Sequence, residues 1–397
     1  MVCAGTKSTT ASRSKKADPG GAWLRRFGRN LRETLALVWL PFVLARVITL
    51  GALALAHFEI DKFHIKDTKA VATVHGGLLA FDASWYLSIA AHGYHHTSRA
   101  GLRFFPLFPA LARLVHLTTR IPYGGALVIV ANVCALGATM LVAFLTSMEL
   151  HDRETARRAA WVFSLVPAAF SYVMGYAEPT LILLAASTFV CLRRRWWTAA
   201  AAFGLLAGLA RPIGFALVVP AAIEAARAWR DSSTRSRAAC AAAVFAPVAG
   251  LLAYLSWVGI VFSDFFAPVR YQREALPQSV STNPLTNAGH DVSGFLAGKH
   301  LGSGLHLPWI ALALALCIVA CRRLPASYGA YALAVLVLAL GSANFESFER
   351  YAFSAFPLAI AAAALIRSRR VETTVLLLSA VALFAYAFLA FQGAYVP

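Results

Sequence analysis

The sequence predicts an all-α polytopic membrane protein, and two observations carry that reading. Of its 397 residues 59% are hydrophobic and only 14% charged, and the arginines gather in short clusters between apolar runs. An excess of 36 Lys+Arg over 18 Asp+Glu would suit a nucleic-acid binder. The placement of these cations between apolar runs instead follows the positive-inside rule. The lipid bilayer is the expected partner, and nucleic acid is not.

In chain order, the first 32 residues are basic and rich in Ser and Thr. They lack an apolar core followed by a small-residue cleavage site, and read as a disordered cytoplasmic tail. Residues 33–397 form one membrane-embedded domain. Its apolar runs lie at 33–57, 123–148, 156–174, 177–193, 196–210, 212–227, 236–262, 306–322, 325–343, 350–367 and 371–393. A full span needs about 20 residues and broken spans fewer, so the expectation is about 10–11 transmembrane helices.

Orientation comes from the basic groups: Arg153/Arg157/Arg158, Arg193-Arg194-Arg195, Arg227/Arg230/Arg235/Arg237, Arg322-Arg323 and Arg367/Arg369/Arg370. All are placed in the cytoplasm together with the N-terminus. This holds only if 196–227 is two helices, because a single helix would move every later loop to the other side. Arg211-Pro212 supplies the break, since Pro removes a backbone donor and disfavours helix at the residue before it. The two halves then meet near the outer face.

Three features remain outside. The 58–121 loop is expected to be structured, with an interfacial helix over 83–91 and a second after Pro106. The 264–305 loop is polar, rich in Gly, Pro, Ser and Asn, and is the expected mobile segment. Tight turns lie at 176–179 and 344–350. Any chemistry is sought on this face.

Asp82 directly precedes Ala-Ser-Trp-Tyr-Leu and has two readings. It fits an N-cap that satisfies free helix amides, and it fits a general base in a partly dehydrated aromatic setting. The two do not exclude each other. Glu178, before Pro179 and an apolar run, fits a cap with Pro in the first turn. A carboxylate between membrane helices also invites a functional role. Arg211 at the proline break suits a phosphate, because backbone amides are freed beside a fixed cation. Arg350-Tyr351 reads either as a snorkelling arginine with a belt tyrosine or as a second phosphate contact.

His92, His95 and His96 have no carboxylate partner at fixed spacing, and the six cysteines show no zinc-type pairing. No metal-ligand set and no cofactor are expected, and dependence on a divalent metal is left open. No Asp-x-Asp, phosphate-cradling glycine loop or Gly-x-Ser-x-Gly is present.

The string Phe81-Asp82-x-x-Trp85-Tyr86-Leu87-x-Ile89-Ala90-x-x-Gly93-Tyr94, with Phe104-Phe105-Pro106-Leu107-Phe108-Pro109-x-Leu111-x-Arg113, resembles the PIG-V-type mannosyltransferases. The likeness continues in order through Pro167-Ala168-Ala169-Phe170-x(5)-Tyr176-x-Glu178-Pro179, Gly208-Leu209-Ala210-Arg211-Pro212-x-Gly214 and Arg350-Tyr351-x(4)-Phe356-Pro357.

The resemblance implies a GT-C glycosyltransferase-like fold with an outward active site and a polyprenyl-phosphate-mannose donor. It implies a lipid-linked or glycan acceptor, and Asp82 as catalytic base of an inverting single displacement. Arg211 and then Arg350 would face the donor phosphate. Glu178, Trp85, Tyr86, Tyr94, Phe105 and Tyr351 would line the substrates. Phe81 stands where relatives usually carry Trp, and Arg273 after Tyr271-Gln272 is another departure. Twenty-nine Arg against seven Lys, with heavy use of Ala, points to a GC-rich genome and a bacterial plasma membrane. The rival readings are a lipid-linked sugar transporter or flippase, and an inactive scaffold subunit of the same fold. A transporter would be expected to show inverted repeats or midplane charges in both halves.

Overall fold

The structure, a computed structural model, describes residues 19–64, 67–274, 307–341 and 347–394. Every regular element among them is helical. The helices are α1 Pro19–Phe63, α2 Thr68–Gly76, α3 Asp82–His92, α4 Leu107–Thr119, α5 Tyr123–Leu150, α6 Arg153–Leu165, α7 Glu178–Arg193 and α8 Trp197–Ala210. They continue with α9 Val218–Ala228, α10 Thr234–Phe262, α11 Ala267–Glu274, α12 Leu307–Arg323, α13 Ala326–Leu340, α14 Phe348–Ala352, α15 Pro357–Leu365 and α16 Arg369–Phe391.

Four described helices are long and apolar enough to cross a bilayer singly: Arg32–Phe63 within α1, then α5, α10 and α16. The other expected spans are shorter helices and 3-10 turns divided by proline. Pro167 opens the turn Pro167–Tyr172 after α6, Pro179 sits in the first turn of α7, Pro212 opens Pro212–Leu217, and Pro357 opens α15. Proline is tolerated at the start of such elements and breaks the ladder before it. The chain is a multi-pass membrane protein with a broken-helix interior.

The expected break at Arg211-Pro212 is present. Helix α8 stops at Ala210, Arg211 is extended, and the chain folds back so that Trp197 and Ala200 of α8 pack with Ala221, Ala225 and Ala228 of α9. Gly208 and Gly250 let the α8 and α10 backbones touch, because a Cβ on either would overlap a carbonyl of the facing helix.

Two boundaries differ from the sequence reading. Residues 19–32 of the expected tail are helical: Ala22-Trp23-Leu24-Arg25-Arg26-Phe27 holds no Gly or Pro, and the helix continues through Gly28 into the apolar stretch. Residues 1–18 lie outside the described residues. The 264–305 loop begins with a helix, α11, while 275–305 lie outside the described residues, as do 344–346 of the 344–350 turn. The first loop carries the two expected helices, α3 and α4. It also carries a third, α2, whose N-cap Asp67 accepts from the amides of Lys69 and Ala70.

The basic clusters gather at one end of the bundle. There Arg193 at the end of α7 meets Glu149 of α5 at 2.7 Å and Glu224 of α9 at 3.4 Å, and Ser327 of α13 donates to Glu224. Arg157 and Arg158 of α6 both hold Glu372 of α16. The opposite ends of α5 and α7 face the first loop.

Candidate active site

Asp82 does not cap α3. It is the first helical residue, Phe81 occupies the cap position without a side-chain bond, and the Asp82 carboxylate turns to Arg350. Phe81 has φ +55°, a left-handed conformation that a bulky aromatic residue adopts only under constraint from its surroundings.

The capping reading of Glu178 fails in the same way. Ala177 is its N-cap, with no side-chain bond, and Glu178 lies in the first turn of α7 facing two arginines. Both carboxylates sit at helix N-termini, where the macrodipole favours negative charge.

Four charges from four separate elements thus form one alternating chain. Arg350 Nη1 lies 2.7 Å from Asp82 Oδ2, and Arg350 Nε lies 3.0 Å from Glu178 Oε1. The same Glu178 oxygen meets Arg211 Nη1. The order Asp82, Arg350, Glu178, Arg211 balances two negative against two positive groups, as burial demands. Tyr351 lies between the arginines: its hydroxyl accepts from Arg350 Nη2 at 3.2 Å, and its ring centroid is 5.1 Å from each guanidinium. Tyr176 also lies against Arg350, 5.0 Å from ring centroid to guanidinium.

Access divides the four. The Asp82 side chain is 23% exposed and Arg211 11%, whereas Arg350 is 4% and Glu178 1% exposed. The two ends of the chain are the less buried members, and the middle is sealed. Arg350 is the internal link of the ion chain, occupied on both sides, so a free phosphate ligand is better matched by Arg211.

The aromatic residues separate into wall and core. Trp85 is half-buried, stacked on Phe104 at 5.7 Å, with the Arg103 guanidinium 4.9 Å from the Phe104 centroid. Tyr86 packs edge-on against Phe104 and Phe108. Its phenol is pushed above its usual range by burial first, with Arg211 pulling it back and Glu178 and Asp82 raising it further, so it stays neutral beside the charges. Tyr94 donates to the Phe104 carbonyl at 2.7 Å and packs on Tyr254 and Trp257.

Phe105 is a correction. It is 2% exposed against Tyr254 in an apolar cluster and offers no surface to a substrate. The pattern Phe104-Phe105-Pro106 does not reveal that both rings are buried, because the backbone there is irregular. Tyr176 had no role assigned from sequence, and its position two residues before Glu178 was the available signal. Among the described residues no three His, Cys, Asp or Glu side chains gather as a metal group would require, and His92, His95 and His96 are exposed.

The family description Mannosyltransferase (PIG-V) matches residues 33–262, more than half the chain. The chain belongs to that family. The matched stretch contains Asp82, Glu178 and Arg211, and Arg350 and Tyr351 lie beyond it. The human GPI alpha-1,6-mannosyltransferase 2 is 33% identical over 145 residues, which cover 34% of this chain and 29% of that protein. The rat protein of the same description is 33% identical over 147 residues, with the same coverage. The match thus spans less than a third of the length of these relatives. Among solved structures, the Archaeoglobus fulgidus oligosaccharyltransferase aligns over 79% of this chain and 48% of its own, at 14% identity and a TM-score of 0.41.

Proposed function

We propose that this membrane protein is a glycosyltransferase that moves mannose from a polyprenyl-phosphate-mannose donor to a lipid-linked or glycan acceptor, on the membrane face opposite the basic clusters. The observation that carries the reading is the buried ion chain, which presents a carboxylate at one end and a guanidinium at the other. Membership of the mannosyltransferase family supports the sugar.

In the proposed mechanism Asp82 accepts the proton of an acceptor hydroxyl as that oxygen bonds to the anomeric carbon. The carbon–oxygen bond to the donor phosphate breaks, and its electron pair leaves on the phosphate. The proton rests on Asp82, the sugar is inverted, and polyprenyl phosphate departs. One carboxylate suffices, because no glycosyl-enzyme intermediate forms, unlike the paired carboxylates of retaining glycosidases.

Arg211 meets the charge growing on the leaving phosphate in a site where water is scarce. Arg350 orients Asp82, and Glu178 holds both arginines in place. Trp85, Tyr94 and Tyr351 form the walls, and Tyr86, buried behind Phe104 and Phe108, backs them. The cytoplasmic placement of the N-terminus and basic clusters, and a bacterial plasma membrane as the location, belong to the same proposal.

Proteoliposomes offered polyprenyl-phosphate-mannose or a soluble nucleotide-mannose, with a panel of glycan acceptors, test it. Transfer from the lipid donor alone is the expected result. Transfer from the nucleotide sugar alone, or none from the lipid donor, would refute the donor assignment.

A further inference from the structure

Arg46 lies in the middle of the apolar stretch of α1 and pairs with no carboxylate among the described residues. Its guanidinium is spent on neutral groups instead. Nε donates to Asn132 Oδ1 of α5 at 3.0 Å, Nη1 to the Phe42 carbonyl at 3.2 Å and Nη2 to the Tyr172 carbonyl at 3.4 Å. The group rests 3.5 Å from the centroid of the Phe42 ring. Asn132 in turn donates through Nδ2 to Val128, on its own helix, and to the Val173 carbonyl at 3.0 Å.

Tyr172 and Val173 are where the 3-10 turn ends, and no following helix takes their carbonyls. In a bilayer such groups are costly to leave unpaired. A cation with a forked donor at the carbonyl end of a helical turn also complements the dipole there.

From Val173 the chain runs without regular structure to Glu178. Gly175 N–H donates to the Leu78 carbonyl at 3.0 Å, which ties this segment to the turn just before Phe81-Asp82. The approach is close: a Cβ on Gly175 would lie 3.3 Å from Leu79 Cδ2 and 3.4 Å from Ala83 Cβ. The segment that Arg46 and Asn132 hold at its start thus carries Tyr176 and Glu178 at its end and braces the Asp82 turn in its middle.

We propose that Arg46 and Asn132 are positioning residues, a clamp from α1 and α5 onto the Tyr172 and Val173 carbonyls that sets the placement of Glu178 and Asp82. The inference rests on the catalytic reading of those two carboxylates. It gives an uncompensated membrane arginine a task that neither phosphate binding nor surface snorkelling explains.

The test uses the full chain in nanodiscs, with Arg46→Gln, Arg46→Lys and Asn132→Ala, read per folded molecule. All three are expected to lower kcat for mannose transfer by about tenfold or more while the donor KM stays near wild type, since small misplacements of catalytic groups act on rate. Lysine fails because one ammonium cannot span both Asn132 and the Tyr172 carbonyl. Hydrogen–deuterium exchange of peptides covering 173–178 is expected to rise in each variant, while that of α16 stays unchanged.

Wild-type kcat in Arg46→Lys, or a loss carried wholly by KM, would overturn the proposal. So would unchanged exchange at 173–178. A wild-type protein that transfers no mannose would refute the catalytic reading, and the exchange arm would still decide whether the clamp exists.

Discussion

Glu178 and Arg350 are the buried centre of the ion chain, and Asp82 and Arg211 are its two less buried ends. Glu178 is 1% exposed and is the shared counter-charge of two guanidiniums. Removing one partner of a buried ion pair typically costs about 3–5 kcal/mol, because the charge left behind is unpaired. Glu178→Ala should therefore lower the thermal midpoint in detergent markedly. Arg211→Ala takes the other partner from the same buried carboxylate and should lower the midpoint as well, and per folded molecule it should raise the KM for the lipid donor. If Arg211→Ala keeps donor saturation at its wild-type value, the phosphate assignment is wrong.

Asp82 and Glu178 each looked like a helix cap in the sequence. Both stand at helix starts, so spacing could not separate a cap from a catalytic carboxylate. What draws both carboxylates away from capping is Arg350, 268 residues beyond Asp82 in sequence and 2.7 Å away in space. Such a partner has no local signature, whereas Arg211 beside its proline break did.

At the scale of elements, the helix breaks were the legible part. Pro167, Pro179, Pro212 and Pro357 mark the boundaries of the shorter helices, and the return at Arg211-Pro212 was required by charge placement alone. The start of α1 and the presence of α2 were not legible, because a basic amphipathic stretch and a short loop helix carry weak periodic signals.

Helix α6 shows the opposite case, a true cap. Asp152 accepts from the amides of Glu154 and Thr155 and from the Thr155 hydroxyl. The Thr155 bond, followed by those amides, holds its carboxyl below the usual carboxylate range. A carboxyl depressed by folding adds stability above its unfolded pKa and loses it as pH falls through the folded value. Asp152→Ala should cost about 1 kcal/mol at neutral pH. That difference should shrink in acid, as followed by thermal unfolding at a series of pH values; a difference that grows in acid would contradict the cap.

At the scale of the whole molecule, the bundle is polar in its charges. Arg193 with Glu149 and Glu224, and Arg157 and Arg158 with Glu372, close one end, and the ion chain around Glu178 closes the other. Native Cys321, exposed at the end of α12 beside Arg322-Arg323, marks the first end, and exposed Ser84 on α3 marks the second. In intact cells, with Cys3 replaced by Ser, a membrane-impermeant maleimide should label Ser84→Cys and spare Cys321. Labelling of both from the same side would remove the proposed orientation.

The most direct test of the account is mannose transfer by reconstituted wild type and Asp82→Asn at saturating polyprenyl-phosphate-mannose, with donor binding measured in parallel. Loss of a general base predicts a rate lower by about 10²-fold to 10⁴-fold with donor affinity retained. Equal rates would contradict the assignment of Asp82, and with it the mechanism built on the ion chain.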